Sequence, residues 1–165
     1  MANKIKKYLK EIVIFSIIFI VFINIISMYK STDLNQVPLD LTTIKLSDNS
    51  KYKIDISKPI MVHFWATWCP ICKVEASNIQ TISENYQVIS IAVQSGSNKD
   101  IEKYMKENSV DFMVINDKDG SLAKKYNIGV FPTTVIYDKN GDIAFSDVGY
   151  TSTLGLWLKM MWTDL

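Results

Sequence analysis

The sequence predicts an α/β fold, a central mixed sheet with helices on both faces, preceded by one amino-terminal apolar helix. Three observations lead there. Strand-patterned and helix-patterned segments alternate from about residue 38 onward, which is the order of a sheet layered with helices. Ile60–Trp65 (IMVHFW) is an almost continuous apolar run, as expected of a central strand covered on both sides. The only two cysteines, Cys69 and Cys72, fall where that strand hands over to a helix-patterned segment. At 165 residues, with an apolar run near its start, the chain holds one ordinary domain plus an anchor.

From Ile12 to Met28 no residue is charged, and 17 residues is at the short end of what a spanning helix needs. Lys4, Lys6, Lys7 and Lys10 precede the run, whereas Lys30 is soon followed by Asp33. The lysine excess therefore puts the amino terminus in the cytoplasm and the domain outside. The expected organisation is a lysine-rich cytoplasmic segment at 1–11, a transmembrane signal-anchor at 12–29, a polar tether at 30–37 and the folded domain at 38–165. A cleaved signal peptide is the alternative, but NIISMYKSTD offers no small-x-small cleavage site. No cysteine lies near the run to carry a lipid.

Leu41–Leu46 and Tyr52–Ile56 alternate around Asp48-Asn49 and predict a hairpin with one solvated face. After the Ile60–Trp65 strand, a helix is expected to begin near Pro70, since proline suits a first helical position whose amide needs no partner. Val74, Ala76, Ile79, Ile82 and Tyr86 would be its apolar positions. Val88–Val93 reads as a second buried strand. Lys99–Glu107 reads as a charged helix burying Ile101, Tyr104 and Met105. Phe112–Ile115 is a short strand, and SLAKKYNI a short helix. PTTVIYD and DIAFSDV flank Lys139-Asn140-Gly141, a strong hairpin signal. Leu154–Trp162 is apolar enough to close the domain as a helix, and its tryptophans also suit a membrane surface.

The formal charge is +1, but residues 1–30 hold five of the 18 lysines and only Glu11 of the 17 acids, leaving the rest at −3. With no arginine and no basic stripe beyond the anchor, nothing in the chain fits a nucleic-acid partner.

The spacing Cys69-Pro70-Ile71-Cys72 admits several chemistries. A structural zinc site needs about four ligands, and His63 is the only histidine. A structural disulfide would close a very small loop and stabilise little. A redox pair has a mechanism: at a strand-to-helix junction the helix amino terminus stabilises the Cys69 thiolate. A soft copper(I) ion held by two thiolates is a further, non-enzymatic reading, although no methionine cluster surrounds the pair.

Phe64-Trp65-Ala66-Thr67-Trp68-Cys69-Pro70-Ile71-Cys72-Lys73 resembles the FWAxWCxxCK motif of thioredoxin-like proteins. NIGVFPTTVIYDKNG resembles the same family's proline-bearing loop and hairpin. From Pro38 onward the layout is similar to the membrane-anchored, outward-facing thiol:disulfide interchange proteins. VHFWATWCP, AVQSG and GYTSTLGLWLKMMW together are most similar to the suppressor-of-copper-sensitivity group of thioredoxin-like proteins.

The resemblance implies a thioredoxin fold and a set of roles. Cys69 would be the exposed nucleophile and Cys72 the buried resolving thiol, joined as a redox-active disulfide when oxidised. Trp65 and Trp68 match aromatic residues that wall the site, with ordinary core packing as the plainer reading, above all for Trp65. Pro132 matches the cis-proline facing the cysteines, so Trp68, Phe131, Pro132 and Thr133 would form the substrate groove. Phe131 departs from the smaller residue often found there, which would narrow that groove. His63 stands where thioredoxin carries a buried acid, and Glu75 is the other candidate proton shuttle. For each there is a plainer reading, a hydrogen-bonded core histidine and a solvated first-turn carboxylate.

The implied activity is thiol-disulfide exchange on protein substrates outside the cytoplasmic (inner) membrane, as a reductase recharged by a membrane electron transporter. The domain would lie in the periplasm or outside the cell. A disulfide-inserting oxidase and a copper- or client-holding module remain the alternatives. Thiol exchange calls for no metal and no organic cofactor.

Overall fold

The computed structural model describes residues 43–165, together with residues 10–12, 14, 15 and 18 of the amino-terminal run. Those earlier positions are helical, and Ile12, Ile14, Phe15 and Ile18 are exposed. Among the described residues no helix is long and apolar enough to cross a membrane. The anchor expected at 12–29 otherwise lies outside the described residues, as do the tether at 30–37 and the first residues of the domain.

The hairpin comes first: β1 (Thr43–Lys45) and β2 (Lys51–Lys53) pair antiparallel, with Ile44 opposite Tyr52. Alternation decides which side is covered, since Ile44 is buried while Thr43 and Lys45 are exposed. The main sheet comprises β3 (Ile60–Trp65), β4 (Gln87–Val93), β5 (Val114–Asp117), β6 (Thr133–Tyr137) and β7 (Ile143–Val148), in the order β5-β4-β3-β6-β7. Strand β3 runs parallel to β4 and antiparallel to β6, so the sheet is mixed. All six residues of β3 are buried, as its central place requires.

Four helices accompany the sheet: α1 (Pro70–Ser83), α2 (Asn98–Glu107), α3 (Ser121–Lys125) and α4 (Thr153–Asp164). Two apolar cores divide the faces by strand parity. Met61 and Trp65 join Ala76 and Ile79 of α1, Ile101 of α2, and Leu156 and Met160 of α4. Ile60, Val62 and Phe64 point the other way, toward Ile44 of the hairpin and Ala123 of α3. Helices thus cover both faces, three on one and the five-residue α3 with the hairpin on the other.

Three expectations shift. Strand β5 begins at Val114 rather than Phe112, whose ring instead packs edge-on against Trp65 at 6.1 Å. It extends to Asp117, which pairs with Val93 in the ladder to β4, while its carboxylate accepts the Leu122 and Ala123 amides in the first turn of α3. Val74, expected on the apolar side of α1, is 67% exposed. It sits about 200° around the helix from Cys72, which points inward. Met105 is only half-buried, whereas Ile101 and Tyr104 are buried as expected.

The β6–β7 turn forms where Asn140-Gly141 predicts it. Gly141 has φ +81°, a conformation that a side chain disfavours, and the Asp138 carboxylate accepts the Asn140 and Asp142 amides.

Candidate functional site

The site forms where β3 ends. The chain turns through Ala66-Thr67-Trp68, and Cys69 becomes the N-cap of α1, with Pro70 as its first residue. The Cys72 amide donates to Cys69 Sγ at 3.2 Å. Cys69 Sγ therefore occupies the position that an N-cap oxygen takes elsewhere, where the unpaired amides and dipole of a 14-residue helix favour negative charge. Cys69 and Cys72 are joined as a disulfide, with Cα atoms 5.3 Å apart. Cys72 is 2% exposed; Cys69, expected to be exposed, is only 6% exposed, because its sulfur is turned into the disulfide and the head of α1.

The opposing wall comes from the loop before β6. The Phe131–Pro132 peptide bond is cis, the Thr133 hydroxyl donates to Val130 O at 2.8 Å, and the Gly149 amide donates to Pro132 O at 2.8 Å. Phe131 stacks edge-on against Trp68, ring centres 5.7 Å apart. The Trp68 indole donates to Gln94 O at 3.2 Å, and the Thr67 amide donates to the buried Ser95 hydroxyl at 3.0 Å. A groove lined by Gln94, Gly120, Lys124, Ile128 and Phe131 runs alongside.

The groove residues expected from sequence are thus divided. Trp68 is exposed and Phe131 half-buried, so part of each ring is open to solvent beside the cysteine pair. Pro132 and Thr133 are buried, and the Thr133 hydroxyl is committed to its own loop, so this residue shapes the groove rather than lining it. Of the two readings of Trp65, wall or core, the structure has the core one: it is buried and packed on Tyr104 with ring centres 4.7 Å apart.

The two candidate proton carriers differ sharply. His63 is 1% exposed, and its Nδ1 lies 2.9 Å from Thr134 Oγ1 directly across the β3–β6 ladder. Burial pushes its pKa down to about 3, so the imidazole is neutral at physiological pH. Glu75 is 0% exposed rather than solvated. Its Oε1 accepts the Thr151 amide at 2.8 Å, while Oε2 has no partner. Burial raises its pKa to about 7, opposed by the Thr151 hydrogen bond and assisted by the negative charge of Asp147. Glu75 lies three residues beyond Cys72, so the two side chains are neighbours on the inner face of α1. A carboxyl poised near neutrality beside a buried thiol can accept and return its proton.

Sequence reasoning misses Asp147 of β7 and Lys159 of α4. They form a largely buried pair, with Nζ 2.6 Å from Oδ2, on the face of the sheet that carries Glu75. The two residues lie on different elements, and no local pattern signals them. Gln94 and Ser95 are missed as well; the positive φ of Gln94, +45°, turns its carbonyl toward Trp68. Among the described residues no group of three or more His, Cys, Asp or Glu converges as a metal site would.

A disulfide at the head of a helix, faced by a cis-proline loop at the end of a central strand, defines a thioredoxin-like dithiol protein. The AhpC/TSA family model matches residues 30–146, and the chain belongs to that family. A "Thioredoxin-like protein" of Haemophilus influenzae is 32% identical over 167 residues, spanning 98% of each chain. The thiol-disulfide oxidoreductase ResA of Oceanobacillus iheyensis is 31% identical over 110 residues, 64% of this chain and 54% of that one. Among solved structures, StoA of Bacillus subtilis superposes with a TM-score of 0.66 at 22% identity, covering 76% of this chain and 98% of its own, and supports the fold.

Proposed function

We infer that this protein is an extracytoplasmic thiol-disulfide oxidoreductase that reduces protein disulfides, held to the outer face of the cytoplasmic membrane by residues 12–29. The observation that carries the reading is the Cys69–Cys72 pair itself, with Cys69 Sγ accepting the Cys72 amide at the head of α1 opposite cis-Pro132. Curated relatives named as thiol-disulfide oxidoreductases support the chemistry. The uncharged run and its flanking lysines support the anchor.

In the reduced protein, the Cys69 thiolate attacks one sulfur of a substrate disulfide and expels the other as a thiolate, which takes up a proton. Glu75, as carboxylate, takes the Cys72 proton, and the Cys72 thiolate attacks Cys69 Sγ. The second substrate sulfur leaves as a thiolate and takes up a proton. The substrate gains two electrons and two protons, and the protein is left as the disulfide seen here. Glu75 suits this step better than His63, whose depressed basicity leaves it a hydrogen-bonded core residue. Recharging then needs a dithiol donor on the same side of the membrane, which fits a membrane electron transporter.

Two measurements test this. Pre-reduced full-length protein in detergent should reduce insulin while its own pair is oxidised; no transfer would overturn the activity. A membrane-impermeant maleimide should label reduced Cys69 in intact cells; labelling only after lysis would overturn the location.

A further inference from the structure

Helix α4 carries apolar residues on two sides. Leu156 and Met160, both 0% exposed, face the sheet core. On the opposite side lie Leu154, Trp157, Leu158, Met161 and Trp162. At 3.6 residues per turn they share an arc of about 140° that contains no charge. Leu154 is 65% exposed, Trp157 42% and Trp162 70%. The charged residues of the helix flank this arc: Lys159 is paired with Asp147, and Asp164 is the only exposed polar position from Thr153 to Leu165. An ordinary closing helix shows water a polar face, so this surface is built for another medium.

We propose that the outward stripe of α4 lies in the headgroup region of the lipid bilayer to which the amino-terminal run attaches the domain; this rests on the anchor reading above. The tryptophans border the stripe on its two sides, with leucines and Met161 between them. This suits a helix lying in the interface plane, where indole rings favour the headgroup level. Asp164 lines the same concavity as Tyr52 and Asp55, and Thr43 pairs with Lys53 beside Tyr52. The end of α4 and the start of the folded chain therefore share one end of the domain. Residues 30–37 reach at most about 28 Å, beyond the about 18 Å length of α4, so the tether lets the whole stripe meet the surface. A second copy fits less well. An arc of about 140° on a cylinder about 11 Å wide and 18 Å long is roughly 250 Å², short of the about 800 Å² per partner of a stable complex.

The test uses the full-length chain carrying Trp68→Phe, reconstituted in phosphatidylcholine/phosphatidylglycerol vesicles with or without bromine near the headgroup end of the acyl chains. Tryptophan emission should be about twofold lower in brominated vesicles, and Trp157→Gln/Trp162→Gln should abolish that difference, leaving only buried Trp65. Equal emission in both vesicles, from a chain that alkaline carbonate leaves in the membrane, would overturn the docking while the anchor stands. Release by carbonate would overturn the anchor. The released chain is then added to the same vesicles, where quenching supports the docking and its absence overturns it. Cross-linked dimers through α4 with emission indifferent to bromine would overturn it in favour of a second copy.

Discussion

Replacing Glu75 by glutamine should change how folding stability depends on pH. In the unfolded chain this carboxyl loses its proton near 4.5, whereas burial lets the folded protein keep it to about 7. Between those values the folded state binds one proton more than the unfolded state, so stability falls as pH rises. The contribution is fully present below 4.5 and lost above about 7, which at 1.36 kcal/mol per pH unit amounts to about 3 kcal/mol. His63 works in the opposite direction. The unfolded imidazole takes a proton below 6.5 and the buried one only near 3, so its contribution is present above 6.5 and lost as pH falls toward 3. The two slopes oppose each other between 4.5 and 6.5, where the wild type should be nearly flat. Glutamine keeps an oxygen for the Thr151 amide and removes the titration. Urea unfolding of the oxidised full-length chain in non-ionic detergent, monitored by tryptophan emission, measures the outcome. The stability difference between Glu75→Gln and wild type should move by about 3 kcal/mol in favour of the variant between about pH 4 and pH 8. Any fixed cost of the unpaired amide cancels in that comparison. A difference that stays constant across the range would refute a buried, high-pKa Glu75.

The same geometry predicts three other outcomes. Cys72→Ala leaves the nucleophile without its resolving thiol, so mixed disulfides between Cys69 and client proteins should accumulate on non-reducing gels and disappear in Cys69→Ala/Cys72→Ala. Phe131→Ala removes an edge-on ring contact with Trp68, which should cost about 0.5–1.5 kcal/mol in stability and raise kcat/KM for bulky protein disulfides relative to a small disulfide. A uniform fall for both substrates would show that Phe131 does not narrow the groove. The His63 imidazole should show no NMR titration between about pH 5 and pH 8; a midpoint in that window would restore it as a proton carrier.

Much of this architecture is legible because it rests on local patterns. The apolar run of β3, the proline at the head of α1, and Asn140-Gly141 each specify their element within a few residues. The start of β5 is misread because Phe112 and Met113 look like strand, whereas the ladder to β4 begins with Ser90 opposite Val114. At the other end of that strand, Asp117 pairs with Val93 and its carboxylate accepts the Ala123 amide of the next helix, a contact that composition does not reveal. On α1 the sequence contains more than the simple apolar count extracts. Three residues from Cys72 and four from Ile79, Glu75 falls inside the buried arc, and Val74 falls opposite. Reading the helix by angle separates a buried carboxyl from a surface valine. The Asp147–Lys159 pair is not legible in this way, because it exists only once β7 and α4 pack together.

The central claim is that the Cys69–Cys72 dithiol donates electrons to protein disulfides, and its equilibrium reduction potential tests this most directly. Titration of the full-length chain in detergent against glutathione or dithiothreitol, with Cys72→Ala as the control that cannot close, should give a value near about −270 mV. A value near about −120 mV would contradict the account and make the protein an inserter of disulfides.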